Sequence, residues 1–562
     1  MTHLQKFFLV IISLTVVIFP ASARAAVNIP SSADPSRVQE QIAPPTVQEV
    51  LPQAKGAAPV ITPEEAPPGA DKIRFVLKAV QIEDMTVYKE VDVAPLYRKL
   101  LGTKISLVQV YGLANELTAK YRNDGYILTQ AIVPPQTIKG GRIKLRVIEG
   151  FIDQVHIQSK KTGDEKLYAP YGDLIKESQP LNEKVLEKYM LLINDLPGVT
   201  AKSVLSPSPK TQGASDLIIE IEHKLYDASV ETDNRGTLYI GPQQFNASTR
   251  LNNALGQNEG ITLQGASAPG DMNSGTVSIS HPIGYQGTTL NLSGAVTSTN
   301  PGYTLAQFDI KGVTHEYIAG VTRPFIRSRN ENFSGTFKFD FFDTTRSDNL
   351  GGPMIEDRMR ILRMSLLYQN ADRFEGVNTL TTEISKGIDI FNTKPEGSPN
   401  MTRDGGNPLF FKQTFEATRV QRLTDIFDLY TAATGQKSPD NLLTSEAFGV
   451  GGASYGSAYD SSEITGNNGI AGRVELRANN PVHLPFQKFQ PYGFYDIGKV
   501  WDPENTDPKS RIVSIASAGM GLRATLNDTI SGSLEFAAPL TKDIEAGHSM
   551  QPRLFSSLTA KF

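Results

Sequence analysis

What this chain of 562 residues lacks narrows its chemistry first. It has no cysteine, so disulfides and thiolate metal sites are both excluded. Its seven histidines stand at 3, 156, 223, 281, 315, 483 and 548. No two are at helical or hairpin ligand spacing, so no zinc site is expected. Neither GxSxG nor the phosphate-binding GxxxxGK[ST] occurs. The glycine-rich stretch 449–456 has no strand–loop–helix context and no following lysine, so it reads as a loop rather than a nucleotide cradle. Acidic pairs such as Glu64-Glu65 lie in a proline-rich stretch and read as solvated. No catalytic constellation emerges, and neither enzyme activity nor a cofactor is expected. An excess of one charge is missing too. Lys and Arg number 55 against 59 Asp and Glu, a formal net charge of −4 with both signs spread along the chain. That argues against nucleic acid as the partner, which would require a clustered basic excess.

Long hydrophobic runs are scarce. One, 7–19, follows Lys6 and precedes Ala23-Arg24-Ala25, a small-x-small cleavage pattern, so residues 1–25 read as a signal peptide. Thirteen residues of helix reach only about 20 Å, short of a hydrocarbon core of about 30 Å. No later run approaches about 18 apolar residues, so no transmembrane helix is expected. A chain exported without a helical anchor is periplasmic, secreted or a β-barrel. Aromatics are absent from 26–72, where proline recurs at 30, 35, 44, 45, 52, 59, 63, 67 and 68. Such a segment buries too little apolar surface to offset its ordering entropy and reads as a linker. Within it, 34–41 pairs an N-cap residue, Asp34, with Pro35 at the first helical position and reads as a short helix.

Residues 73–224 mix helix and strand signals, and the pattern occurs twice. In 73–150, an alternating run at 75–82 precedes helical stretches at 93–101 and 108–123, then strands at 127–133 and 142–148. In 151–224, a strand opens at 151–157, a helix spans 181–194 and a strand closes at 217–222. Two small α+β modules in tandem are the simplest account. From 225 to 562 dyad alternation dominates. Phe333, Gly335, Phe337, Phe339 and Phe341 share one face, while Ser334, Thr336, Lys338 and Asp340 share the other. Such strands set an apolar face against lipid and a polar face against a wet lumen. A soluble β-sandwich or β-helix also alternates. The signal peptide, the charges inside strands and the ending at Phe562, an alternating strand closed by an aromatic, favour an all-β transmembrane barrel.

Gly125-Tyr126, Pro134-Pro135-Gln136 and Val147-Ile148-Glu149-Gly150 follow one another in order and spacing that resemble a POTRA signature. Further on come Asp233-Asn234-Arg235-Gly236, Gly435-Gln436, Ser445-Glu446, Phe448 and Gly451-Gly452. Phe494-Tyr495-Asp496-Ile497-Gly498, Leu534-Glu535 and Pro539-Leu540 complete the set. Together they resemble the ShlB/FhaC/HecB family of haemolysin secretion/activation proteins, the transporter component of two-partner secretion. The resemblance runs from about residue 73 to the last. It implies a barrel of about sixteen antiparallel strands, which the 338 residues of 225–562 can supply at about 9–11 residues per strand. It also implies an inward-folded loop whose VRGF-type arginine pairs with the aspartate of FxDxG. Here Gly456-Ser457-Ala458-Tyr459 stands at the tetrad, with Ser457 in the arginine's place. Asp496 is therefore expected to need another partner, the Tyr459 hydroxyl or water, because a buried carboxylate does not stay unpaired.

The function implied is outer-membrane passage of a secreted partner exoprotein, of long β-helical form. The modules, in the periplasm, would capture it unfolded by strand addition. Outer-membrane lipid surrounds such a barrel, and the barrel-assembly machinery would read Phe562. The resemblance also implies that the helix at 34–41 plugs the lumen at rest. Two alternatives remain at this stage: an assembly factor for other outer-membrane proteins, which carries three or more modules, and a passive porin, which has none.

Overall fold

The computed structural model describes residues 29–38, 64–159, 165–211, 213–482, 485–502 and 511–562. The expected signal peptide at 1–25 lies outside these residues, as do 39–41 of the expected helix.

The first module contains β1 (Arg74–Val76), β2 (Ala79–Glu83), α1 (Glu90–Tyr97), β3 (Lys104–Ser106), α2 (Leu107–Asn123), β4 (Gln130–Ile132) and β5 (Arg142–Ile148). β5 lies between β2, to which it is parallel, and the antiparallel β4. α2 starts where the Gln109 side chain accepts from the Ser106 N–H at 2.8 Å. It stops at Gly125, whose φ of +93° suits a helix C-terminus. Its buried stripe of Val110, Leu113, Leu117 and Tyr121 packs on Ile143, Leu145 and Val147, alternate residues of β5. The alternating run at 75–82 divides into β1 and β2, with β1 pairing to β3 instead of joining the main sheet.

The second module repeats the plan with β6 (Phe151–Ser159), α3 (Glu165–Lys176), α4 (Glu183–Asn194), β7 (Val199–Pro207) and β8 (Ala214–His223). The last strand is again central, parallel to β6 and antiparallel to β7. The sequence pattern predicts one helix in this module, at 181–194. The structure adds α3, which buries Tyr168, Tyr171 and Ile175.

Among the described residues, sixteen antiparallel strands then close into a barrel, from Tyr226–Asp233 to Arg553–Lys561. Each pairs with its sequence neighbours, apart from a short hairpin set inside. The last strand meets the first from Ser557↔Asp233 to Lys561↔Ser229. The polarity is inverted relative to a water-soluble protein. Phe337 of the seventh strand (Glu331–Ser347) and Met364 of the eighth (Ile355–Ala371) are 54% and 56% exposed on the outside. Asp340 and Arg363 of the same strands pair inside. The second module docks at one mouth, where Arg327 of the sixth strand (Lys311–Arg327) makes a bidentate pair with Asp195 at 2.7 and 2.8 Å and Tyr171 meets Tyr285 edge-on.

Candidate functional site in the barrel lumen

Between the eleventh strand (Phe427–Lys437) and the twelfth (Asn468–Ala478), the chain folds into the lumen as a loop. Phe448–Val450 and Ile464–Gly466 pair within it as a small antiparallel hairpin. Glycines make the fold possible at two places. Gly451 has φ +128°, and a Cβ there would meet the Asp460 carbonyl oxygen at 2.0 Å. Gly498, on the thirteenth strand (Lys488–Trp501), lets Val450 seat against the wall, since a Cβ would lie 2.4 Å from Val450 Cγ1. Gly452 and Gly456, at φ +88° and +89°, turn the tip. The stem is held by charge. Glu446 pairs with Arg363 at 2.8 Å and Lys412 at 2.7 Å, and the Gln436 amide donates to the carbonyls of Glu446 and Asn467.

Alternation on the thirteenth strand turns Phe494, Asp496 and Gly498 inward, while Tyr495 and Ile497 face out. Asp496, fully buried, accepts from Ser457 Oγ at 2.9 Å, from the Ser457 N–H at 3.3 Å and from Ser517 Oγ. Its charge partner is Arg473, Nη1 to Oδ2 3.1 Å, the residue directly opposite it on the twelfth strand. Arg473 Nη1 also donates to Ser457 Oγ at 2.5 Å, and its guanidinium lies over the Phe494 ring at 4.2 Å. The expectation of a Tyr459 or water partner is corrected here. The Tyr459 hydroxyl instead binds the Lys542 backbone, donating to its carbonyl at 3.1 Å and accepting from its N–H at 3.2 Å. The barrel wall supplies the cation that the loop lacks, and Ser457 is the bridge between them. Beyond Arg473 the inward network runs through Glu475 to Arg477 and Arg523, each within 2.7 Å. The Asp233–Gly236 and Leu534-Glu535 motifs meet in space, Arg235 to Glu535 at 2.7 Å.

A second element shares the lumen. Residues 29–38 enter as two 3₁₀ turns, Ser31–Ala33 and Pro35–Arg37, with Asp34 accepting from the Ser36 N–H at 2.9 Å. Arg37 is buried and ties the segment to the loop, with Nε to Ser462 Oγ at 3.0 Å and Nη1 to the carbonyls of Thr444 and Ala447 at 2.6 and 2.8 Å. Ser31 Oγ lies 3.0 Å from Thr465 Oγ1. Arg37, Arg363 and Arg473 were not singled out from sequence. Inward parity was readable for Arg363 and Arg473, whereas nothing local marks Arg37.

The POTRA-motif residues sit away from the lumen. Glu149 accepts from the N–H groups of Thr86 and Val87 at 2.8 and 3.0 Å, from the Thr86 hydroxyl and from the Tyr121 hydroxyl at 2.7 Å. Burial opposes its ionised form, yet these bonds together hold its carboxyl below the ordinary value. The Gln136 amide bridges the N–H and carbonyl of Lys144 on β5, and Pro135 beside it is exposed. Tyr126 packs edge-on to Tyr121, and the Gly125 carbonyl accepts from Glu183 of the second module at 2.8 Å. Gly150 abuts Leu128, where a Cβ would lie 2.5 Å from Leu128 Cβ. Its φ is not left-handed. Close approach, rather than a left-handed backbone, is the reason for glycine there. Phe562 exchanges backbone hydrogen bonds with Ala228 of the first strand, its side chain exposed.

A family model described as haemolysin secretion/activation protein ShlB/FhaC/HecB matches residues 213–524, and one for the ShlB-type POTRA domain matches 75–150. The heme/hemopexin transporter protein HuxB of Haemophilus influenzae (strain 86-028NP) is 24% identical over 493 residues, covering 84% of this chain and 85% of that one. The outer membrane transporter CdiB of Escherichia coli is 22% identical over 501 residues, 86% of this chain and 82% of that one. Among solved structures, CdiB from Escherichia coli superposes with a TM-score of 0.71 at 20% identity, over 90% of this chain and 93% of that one. BamA from Haemophilus ducreyi lacking POTRA domains 1–3 gives 0.54 at 12%, over 87% and 100%.

Proposed function

The chain belongs to the ShlB/FhaC/HecB family of haemolysin secretion/activation proteins, and from that premise we propose how it handles its cargo. It is an outer-membrane transporter of the two-partner secretion type, with its POTRA modules in the periplasm, and it carries a partner exoprotein across the membrane. In our reading the cargo is a long β-helical exoprotein that arrives unfolded, is captured by strand addition on the modules and threads the lumen. It folds outside, which prevents return. The transporter performs no catalysis of its own. The barrel-assembly machinery inserts the barrel, with Phe562 as part of the signal it reads. The 29–38 segment and the loop together plug the lumen at rest.

One observation carries the capture step. An incoming strand must find unpaired backbone groups on a sheet edge. In the first module β4 is three residues long, and the adjacent Val133 N–H is taken by Glu64 at 3.0 Å. In the second, β7 is nine residues long. The Asn194 amide caps its edge at Ala201, bonding both N–H and carbonyl, at 2.9 and 3.1 Å. Beyond that, among the described residues, the outward backbone groups of Ser203 and Leu205 pair with nothing. That edge is where cargo adds. Because the chain has no cysteine, single-cysteine variants Ser203→Cys and Leu205→Cys can be crosslinked to cysteines placed along the cargo's N-terminal region. We expect adducts that recur at every second cargo residue, the period of a paired strand. Adducts without periodicity, or none while export continues, contradict the assignment.

A further inference from the structure

Aromatic rings mark two levels on the outer wall. Toward the module end Phe325, Phe333 and Tyr368 cluster, with centroids 5.4 and 6.5 Å apart. Toward the far end Tyr317 and Phe341 pair at 6.0 Å. Aromatic girdles sit at the two membrane–water boundaries of such barrels. Eight residues separate Phe333 from Phe341, a rise of roughly 21 Å at about 3.4 Å per residue and a tilt of about 40°, close to the height of the apolar band.

The loop between the ninth strand (Gly376–Gly387) and the tenth (Phe411–Arg422) does not rise clear of the far rim. The Ile388 N–H donates to the Arg360 carbonyl at 2.8 Å and the Lys394 N–H to that of Arg358 at 3.0 Å, so the loop runs beside the eighth strand where the ninth has ended. Between these bonds the chain reverses, with Phe391 and Asn392 at φ +48° and +64°. A left-handed conformation is rare for a side chain as bulky as phenylalanine. Thr393 Oγ1 holds the turn through the carbonyls of Ile388 and Ile390, and Arg360 Nε through that of Phe391 at 3.2 Å. Arg360 is itself fixed, stacked on Phe341 and paired with Asp343 at 2.7 Å.

The turn aims Phe391 back down the outer wall. Its ring meets Phe339 at 6.2 Å, one outward step nearer the middle of the band than Phe341. Phe391 is 68% exposed and Ile390 beside it 40%. Lys386, level with Phe339 through Leu362, turns its ammonium to the Leu409 carbonyl at 2.6 Å, the behaviour of a cation drawn from an apolar layer toward its boundary. We propose that loop 388–394 is a membrane hook, which inserts Phe391 and Ile390 among the acyl chains of the outer leaflet. Its apolar surface adjoins the lipid-facing wall at Phe339. The same loop crosses to the inside, where Met401 and Phe410 pack with Leu442 and Leu443 at the root of the inward-folded loop. The hook therefore fixes the barrel rim against the bilayer beside the element that occupies the lumen.

Trp501 is the sole tryptophan, so a Trp501→Phe background isolates a reporter. The full chain carrying Phe391→Trp is placed in phosphatidylcholine vesicles whose acyl chains are brominated near the carbonyl end. Met354→Trp, in the loop after the seventh strand, serves as the aqueous reference. Heat-modifiability on gels verifies a folded barrel, and Ile390→Trp repeats the measurement from the neighbouring position. We expect blue-shifted emission, strong loss of fluorescence in brominated lipid and weaker quenching by aqueous iodide than at the reference. Quenching by iodide that equals or exceeds quenching by brominated lipid, at both positions, overturns the hook.

Discussion

At Asp496 a fully buried carboxylate faces a nearly buried guanidinium, and such a pair is stable only while both members remain. Arg473→Ala should therefore destabilise the barrel by about 3–5 kcal/mol, because it leaves the carboxylate buried and uncompensated. Asp496→Ala in the same chain should recover part of that loss, seen as coupling in a double-mutant cycle on the heat-modification midpoint. Independent, additive losses would mean that the two side chains do not stabilise one another. Ser457→Ala removes a bridge rather than a charge and should cost about 1–3 kcal/mol. The inward facing of residues 473, 475 and 477 was legible as alternation. The pairing of Arg473 with Asp496 was not, because the register of two strands joined by a nine-residue turn does not follow from local pattern. Glu149 gives a second test, outside the membrane. Its folded carboxyl value is depressed, so its bonds contribute stability that is complete above the unfolded value, about 4.3, and is lost as pH falls through the lower folded one. Calorimetry of the full chain should show the module transition falling in temperature over that acid range. Glu149→Gln should flatten the dependence, and an unchanged slope in the variant would assign it to other carboxylates.

Elements differ in how openly the sequence declares them. α2 was legible nearly to the residue, because its capping residue, apolar stripe and terminal glycine all agree. α3 is hidden in the sequence, where Pro170 and Gly172 look like breakers. In the fold Gly172 admits Val155, to which a Cβ would come within 2.6 Å, and the burial of Tyr168, Tyr171 and Ile175 outweighs the weak local propensity. At 29–38 the capping signal was real, and the described residues form two 3₁₀ turns whose polar side chains find partners on the barrel and loop. The junction of the modules is likewise an element-scale device. Gly150 lies against Leu128, and the Leu181 N–H donates to its carbonyl at 2.9 Å. Gly150→Val should overpack the junction by about 1–3 kcal/mol and lower the melting temperature of the modules. An unchanged melting temperature with cargo crosslinking lost would make this a binding surface instead.

At the scale of the whole molecule the barrel is closed and occupied. Outward alternation of Phe, Leu and Met told of lipid, and the inward charges told of a wet interior, but what fills that interior depends on contacts more than 400 residues apart in sequence, such as Arg37 to Ser462. No periodicity records these. If cargo threads the lumen extended, as proposed, it needs the space that the 29–38 segment and the loop now share, and at least one of them leaves during transport. The pair Ser31 and Thr465 offers a lock, since their hydroxyls lie 3.0 Å apart. Ser31→Cys with Thr465→Cys should form a disulfide in the oxidising periplasm, and the absence of native cysteine removes competing pairings. With the bond formed we expect cargo export to stop and ion conductance in planar bilayers to stay low. A reductant should restore export and raise conductance, while either single variant behaves like the parent chain. The locked barrel should remain heat-modifiable, which separates a closed pore from a misfolded one. Export that continues at the parental rate with the disulfide complete would show that cargo passes without the segment leaving the loop. The plug would then have to be sought in the inward-folded loop alone.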